Sequence, residues 1–123
     1  MRISSAESQV METLWAKSPL STEEIAAQVG PANDWALGTV RTLLHRLLKK
    51  NAIEGQRKGA RYEYRPLLAR EQYVLAESQG LLDRLFEGKV TPLVAYFAER
   101  QQLSDEDLAK LTALMEELDR DRS

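Results

Sequence analysis

The stretch TVRTLLHRLLKK at residues 39–50 decides how this chain folds. Its apolar residues recur at steps of three and four, which places them on one side of a helix. They are Val40, Leu43, Leu44 and Leu47. The other side is mostly basic and carries Arg41, His45, Arg46, Lys49 and Lys50. The apolar side predicts packing against a core, whereas the basic side needs an explanation in a chain whose net charge is −2.

Charge is divided unevenly along the 123 residues. Residues 1–70 carry 11 Lys and Arg against 7 Asp and Glu, and residues 71–123 carry 6 against 12. The segment 35–66 is the most basic, with 8 basic and 2 acidic residues. A basic segment of this kind indicates a nucleic-acid footprint, and the alternative is a solvated surface with a chance local excess.

Composition excludes several classes of function. The chain has no cysteine, which excludes disulfides and thiol chemistry, and its single histidine makes a zinc site or a Ser-His-Asp triad hard to assemble. We therefore expect no catalytic residue, no metal ligand and no cofactor. No run of about 18 apolar residues and no secretory signal is present, so we expect a cytoplasmic protein without membrane insertion.

Three helices are predicted in the first half. The first two begin with capping boxes, Ser4 with Glu7 and Ser21 with Glu24, in which each side chain satisfies the other's free backbone amide. Gly30 is expected to end the second helix. The predicted ranges are helices at 4–16, 22–29 and about 37–50, with a loop at 31–34 and a left-handed end at Asn51.

Residues 53–65 change to a period of two and predict a β-hairpin, with strands at 53–57 and 61–65 and a turn around Gly59. Three helices followed by a basic hairpin are the order of elements in a winged helix-turn-helix. The predicted fold class is therefore mainly α with a small β-hairpin wing, with the winged domain at residues 1–68.

The third helix and the wing are the predicted DNA-binding elements. Thr39, Thr42 and Arg46 share the exposed face of the helix, where threonine and arginine can read base edges in the major groove. The remaining cations are predicted to meet phosphates. They are Arg41, Lys49 and Lys50 on the helix and Lys58 and Arg61 in the wing. Thr39 as a helix cap, and Trp35 and His45 as packing and surface residues, are the simpler alternatives.

Residues 69–123 are acidic and predict three helices, one at about 69–86, one capped by Thr91 and one capped by Ser104. So short a segment rarely folds alone. It can pack on the winged domain as an intramolecular cap, or against the same segment of a second chain, and the charge division favours a dimerisation domain. The predicted dimer contacts are Leu75, Leu82, Phe86, Leu93, Phe97, Leu108, Leu111, Met115 and Leu118.

The stretches at residues 3–25, 33–53, 58–67 and 93–111 resemble the BlaI/MecI-type penicillinase repressor family of bacterial transcription regulators. NDWALGTVRTLLHRLLKKNAI at 33–53 is the most specific of them. The resemblance implies a homodimeric repressor on a palindromic DNA operator, controlling β-lactamase or other resistance genes and its own operon. Copper-responsive relatives use a C-terminal cysteine motif, which this chain lacks.

The resemblance also implies a membrane sensor-protease as a partner in the best-known systems. That protease cuts the repressor before a phenylalanine that matches Phe97, and the preceding residue, typically asparagine there, is Tyr96 in this chain.

Other functions compete with this reading. A winged-helix protein-protein adaptor would not need basic residues on both the helix and the hairpin. An enzyme has little support, because acidic pairs such as Glu116–Glu117 lie on an apparently exposed helix without a partner base. A DNA-binding regulator of unrelated genes that is not proteolytically induced, or that activates, has the same groove chemistry.

Overall fold

A computed structural model describes residues 2–122. Within them the chain forms six helices and one sheet of three strands. The elements are α1 (Ser5–Ala16), β1 (Leu20–Ser21), α2 (Thr22–Asn33), α3 (Leu37–Lys49), β2 (Ile53–Lys58), β3 (Arg61–Pro66), α4 (Arg70–Leu85), α5 (Val90–Glu99) and α6 (Asp105–Arg122). This order confirms the winged helix-turn-helix followed by helices.

The chain divides into two compact units between Leu75 and Ala76, inside α4. The first unit holds α1 to α3, the sheet and the start of α4. The predicted boundary after residue 68 stays a prediction, and the compact units divide further along the chain.

The core of the first unit is built from α1, α2, α3 and the sheet. All four apolar residues predicted on α3 are buried in it, with exposures of 0 to 4%. The other buried hydrophobic members are Ile3, Val10, Met11, Leu14, Leu20, Ile25, Val29, Ala52 and Ile53. Trp35 packs against this cluster, as its interpretation as a packing residue requires.

Both predicted capping boxes are present. The Ser4 amide donates to Glu7 Oε1 at 2.9 Å while the Glu7 amide donates to Ser4 Oγ at 3.1 Å. Ser21 and Glu24 repeat this arrangement at 2.9 and 3.2 Å. These bonds satisfy backbone donors that a helix start leaves free, which fixes where α1 and α2 begin.

The predicted end of α2 is wrong. The helix continues through Pro31 to Asn33, and Asp34 closes it in a left-handed conformation with φ 57°. Gly30 lies inside α2 and is buried, and its carbonyl accepts the Trp35 amide at 3.0 Å. Pro31 has no amide for the helical bond to the residue four positions before it, so it weakens the last turn of α2 without ending the helix.

The sheet has the order β1-β3-β2, with both pairings antiparallel. β1 was not predicted, since two residues are too short for a periodic pattern. Gly59 adopts φ 62° in the turn between β2 and β3, as predicted. Leu20 pairs with Tyr64 in the register, so the sheet is joined to the core at its central strand.

The end of α3 is a tightly bonded turn. Asn51 adopts the predicted left-handed conformation with φ 58°, and its amide donates to the Leu48 oxygen at 3.1 Å. The Ala52 amide donates to the Leu47 oxygen at 3.0 Å, which completes a Schellman motif. β2 begins directly after it, at Ile53.

The start of α4 belongs to the first unit. Trp15 stacks at 5.5 Å from Tyr73, and its indole nitrogen donates to the Leu68 oxygen at 2.8 Å. Arg70 forms an ion pair of 2.9 Å with Glu12 of α1. These contacts attach the first turns of α4 to α1.

The second unit contains the rest of α4, α5 and α6. The prediction that Thr91 caps α5 is wrong, because α5 begins at Val90 after Lys89. Pro92 is tolerated within the first turn, where backbone amides have no helical partner. Ser104 does cap α6, accepting from the Asp107 amide at 3.0 Å. None of the described helices is long and apolar enough to cross a membrane.

Candidate nucleic-acid interface

The exposed face of α3 carries the side chains that the sequence predicted for base reading. Thr39, Thr42 and Arg46 are all exposed, and α3 contains no acidic residue. The helix starts at Leu37 after Ala36, so Thr39 is not its cap. Thr42 Oγ1 donates to the Gly38 oxygen at 3.0 Å, which leaves its lone pairs and methyl group available.

Five cations of α3 and the hairpin have no partner within the chain. Among the described residues, none of their side chains forms a hydrogen bond or an ion pair. They are Arg41, Arg46 and Lys49 of α3 and Arg57 and Lys58 of β2, and we call this set the basic surface. Arg57 and Lys58 are consecutive in β2, so their side chains point to opposite faces of the strand. Arg57 lies in the predicted basic hairpin but is not among the predicted contact residues, and its lack of a partner in the structure adds it to the set.

Lys50 has a different environment from the one predicted. Its Nζ donates to Glu7 Oε1 at 2.6 Å and to the main-chain oxygen of Arg2 at 2.7 Å. The Glu7 side chain is 2% exposed. Lys50 is therefore paired within the domain, although its side chain stays 32% exposed, and this pairing competes with the predicted phosphate contact.

Glu7 is ionised in this pair. Burial raises the pKa of its carboxyl, but hydrogen bonds from Lys50 and Ser4 outweigh burial and hold that pKa below its ordinary value. Sequence reasoning identified Glu7 only as a capping residue, because no local pattern indicates a partner 43 residues away.

Arg61, at the start of β3, is also engaged inside the domain. Its guanidinium contacts Glu24 at the beginning of α2 and lies 3.4 Å from Glu63. The Ser21 amide and then Arg61 hold the pKa of Glu24 below its usual value. Arg61 stays half exposed, so a phosphate can still reach it, although it must share the charge with Glu24.

Acidic side chains of the hairpin are neutralised locally. Glu63 lies beside Arg61, and Glu54 bonds Arg65 directly across the strands. These pairs remove the charges that would repel a polyanion from the wing. The basic surface is consequently the net charge that α3 and β2 present.

A tyrosine is packed on the same hairpin. A Cβ at Gly55 would lie 2.3 Å from Tyr62 Cε1, so the ring of Tyr62 lies directly over this glycine. Tyr62 also meets Tyr64 edge to face at 5.3 Å. This contact holds the strand that carries Arg57 in a defined position beside β3.

The second unit exposes most of its apolar side chains. Leu82 is the only buried residue among described residues 76–121, so its own chain already covers this predicted dimer contact. The other eight predicted dimer contacts are exposed or half-buried, Leu75 at 69% and Met115 at 68% being the most open. Leu81, Leu85, Phe86, Leu93, Tyr96 and Phe97 line an apolar pocket of about 440 Å³.

The predicted cleavage position lies within α5. Tyr96 and Phe97 are 45% and 41% exposed, and the Arg100 guanidinium lies 4.3 Å from the centre of the Tyr96 ring. No metal-binding cluster of His, Cys, Asp or Glu occurs among residues 2–122.

Sequence comparison adds independent information. A family model described as penicillinase repressor matches residues 3–117. The penicillinase repressor of Bacillus licheniformis is 32% identical over 116 residues, covering 94% of this chain and 91% of that protein. The methicillin resistance regulatory protein MecI of Staphylococcus aureus is 29% identical over 113 residues, covering 92% of each.

A solved structure agrees with the fold of the first unit. The solution structure of the Bacillus licheniformis BlaI monomeric form in complex with the blaP half-operator is 32% identical and superposes with a TM-score of 0.54. It covers 59% of this chain and 89% of that one.

Proposed function

The chain belongs to the penicillinase repressor family of DNA-binding transcriptional repressors, and from this we propose that it binds a palindromic operator as a homodimer. In this proposal α3 enters the major groove and the β2–β3 hairpin lies over the adjacent backbone. The family is not enzymatic, which agrees with the absence of a catalytic constellation in the sequence.

The observation that carries the proposal is the basic surface. Five cations within 18 residues of sequence are left unpaired, while the neighbouring acidic residues of the hairpin are all neutralised by arginine. Unpaired like charges repel one another, so such a set is favourable chiefly when an anion is present. A phosphate backbone supplies that anion at regular spacing.

Base reading is assigned to the exposed face of α3. An α-helix fits the major groove, and the N-terminal half of a recognition helix contacts base edges. Thr39 and Thr42 lie in that half, and Arg46 lies one turn beyond Thr42. We propose that Arg46 bonds a guanine. Thr39 and Thr42 would contact a thymine methyl group or accept a hydrogen bond from a base edge.

The homodimer is supported by the exposed apolar residues of the second unit. A soluble domain rarely leaves so many large apolar side chains uncovered, and α6 alone exposes Leu108, Leu114, Met115 and Leu118. A second copy supplies the same surface in return, which is how two-fold dimers are built. The dimer then places two α3 helices on the two half-sites of a palindrome.

The proposal also covers which genes are controlled and how repression is released. We infer that the operator lies upstream of resistance genes and of the chain's own operon. Cleavage between Tyr96 and Phe97 by a sensor-protease is a prediction supported by α5, which buries none of its residues and so unwinds at little cost.

A fluorescence-anisotropy titration tests the proposal. The purified protein is titrated against the DNA upstream of its own gene and against a scrambled duplex. With 6–10 phosphate contacts, affinity is expected to fall about 10³- to 10⁵-fold between 50 and 200 mM salt. Equal weak binding to both duplexes would place the operator elsewhere, and no binding at low salt would favour a protein-protein adaptor.

A further inference from the structure

The ion pair between Glu7 and Lys50 lies where the two DNA-binding elements join. Lys50 follows the last residue of α3, and after the Asn51–Ala52 turn the chain enters β2. The main-chain oxygen of Ala52 accepts the Leu67 and Leu68 amides at 2.8 and 3.1 Å, which fastens the same joint to the end of β3.

The side-chain hydrogen bonds at the end of α3 are directional, and the Lys50 ammonium group donates both of them. Lys50 Nζ donates to a carboxylate oxygen of α1 and to the main-chain oxygen of Arg2, and Glu7 Oε1 is itself held by the Ser4 amide. The end of α3 is thus linked to the start of α1 along two bond directions. The second oxygen, Glu7 Oε2, is buried and accepts no hydrogen bond from the described residues.

Stability alone is a poor reason for such a pair. Removing the Glu7 carboxylate from water is costly, and well-packed apolar residues in place of such a pair are often as stable. Directional hydrogen bonds fix the orientation of α3 more narrowly than its apolar contacts do. Leucine and valine contacts tolerate small rotations and shifts of a helix, whereas reading a base edge requires placement within about 0.5 Å.

We propose that Glu7 and Lys50 are positioning residues for operator recognition, which set the orientation of α3 and the hairpin without touching DNA. The proposal rests on the function proposed above. It separates Lys50 from its neighbour Lys49, which is exposed, unpaired and assigned to a phosphate.

The test compares three proteins with wild type: Lys50→Met, the double variant Glu7→Gln/Lys50→Met, and Lys49→Met as the matched control. Glutamine can keep the capping box with Ser4, and the double variant leaves no unpaired charge. Its urea midpoint is measured first, so that DNA affinities are compared at conditions where both proteins are folded. Should the double variant not fold, Glu7→Gln is measured in its place.

The probes are a duplex selected by the wild-type protein from a random library and a scrambled duplex of the same composition. For the double variant we expect binding to the selected duplex to weaken about 2- to 30-fold. Binding to the scrambled duplex should change less than about twofold, and the slope of log affinity against log salt should be unchanged. Lys49→Met should instead weaken both duplexes and make that slope shallower by about 0.9 per protomer.

Two results would overturn the positioning role and leave the proposed function intact. A shallower salt slope for the double variant would make Lys50 a phosphate contact. Wild-type affinity for both duplexes would make the pair purely structural. If the wild-type protein selects no duplex at all, the proposed function fails, and the positioning role fails with it.

Discussion

The indole nitrogen of Trp15 donates a hydrogen bond of 2.8 Å to the main-chain oxygen of Leu68, 53 residues further along the chain. Together with the stacking of Trp15 on Tyr73, it attaches the start of α4 to α1. The first turns of α4 are thus part of the first unit.

Trp15→Phe should destabilise the protein. The change removes the donor to Leu68 and part of the ring that packs on Tyr73, so the free energy of unfolding should fall by about 1–2 kcal/mol. Urea unfolding followed by circular dichroism measures it. Tyr73→Phe, which keeps the ring contact, is the control, and equal stability of Trp15→Phe and wild type would contradict this account.

Two glycines should respond in opposite directions to alanine. A Cβ at Gly38 meets no atom within 4 Å, so Gly38→Ala should stabilise α3 by about 0.5–1 kcal/mol. A Cβ at Gly55 would overlap the Tyr62 ring, so Gly55→Ala should destabilise by about 1–3 kcal/mol. Thermal unfolding of both variants and of wild type measures these changes. A Gly55→Ala variant as stable as wild type would show that the Tyr62 ring moves away freely.

Arg46→Ala should reduce operator affinity and specificity together. Loss of a bidentate contact to guanine costs about 1–3 kcal/mol and relaxes discrimination at one base pair. Lys58→Ala, which removes a phosphate contact, should weaken all sequences alike. Titrations against a set of single-base operator variants separate the two. If Arg46→Ala instead weakens all sequences alike and Lys58→Ala relaxes discrimination at one base pair, Lys58 reads the base and Arg46 contacts a phosphate.

Acid should weaken the fold partly through Glu7. Because its folded pKa lies below its ordinary value, its stabilising contribution is complete above about pH 5 and is lost as pH falls through the folded pKa. The difference in unfolding free energy between wild type and Glu7→Gln should accordingly be largest near neutral pH and shrink in acid. Urea titrations from pH 7 to pH 3 measure it, and a constant difference would exclude this carboxylate as the cause.

Met115→Glu should weaken the dimer. Met115 is 68% exposed within its own chain, so a charge there leaves the monomer intact but is buried unpaired if a second copy covers α6. The dimer dissociation constant should rise at least about tenfold in sedimentation velocity. Glu117→Gln, on the same exposed helix, is the control. A dimer unaffected by Met115→Glu would place the interface elsewhere.

Features decided by a few neighbouring residues were predictable from the sequence. The apolar side of α3, both capping boxes and the left-handed Asn51 depend on contacts within one or two turns, and the structure confirms them. The hairpin turn at Gly59 belongs to the same class, because its φ of 62° suits glycine.

Features decided by distant contacts were not predictable. The end of α2 is a local exception, because Gly30 was predicted to end the helix, whereas the Asp34 and Trp35 amides donate to its carbonyl and the left-handed residue is Asp34. The partners of Lys50 and Arg61 lie 43 and 37 residues away, and a basic residue with an acidic partner elsewhere in the chain has the same local sequence pattern as one without. The predicted set of phosphate contacts stays a prediction, and the structure adds that two of its members, Lys50 and Arg61, are paired with acidic residues of the chain.

The basic surface also bears on how quickly the protein finds its site. Cations that need not break an internal pair attract any duplex at once, so the first encounter is with random sequence and the protein slides and hops from there. Salt then governs the duration of each visit, while Thr39, Thr42 and Arg46, as the proposed base readers, are expected to stop the search at the operator.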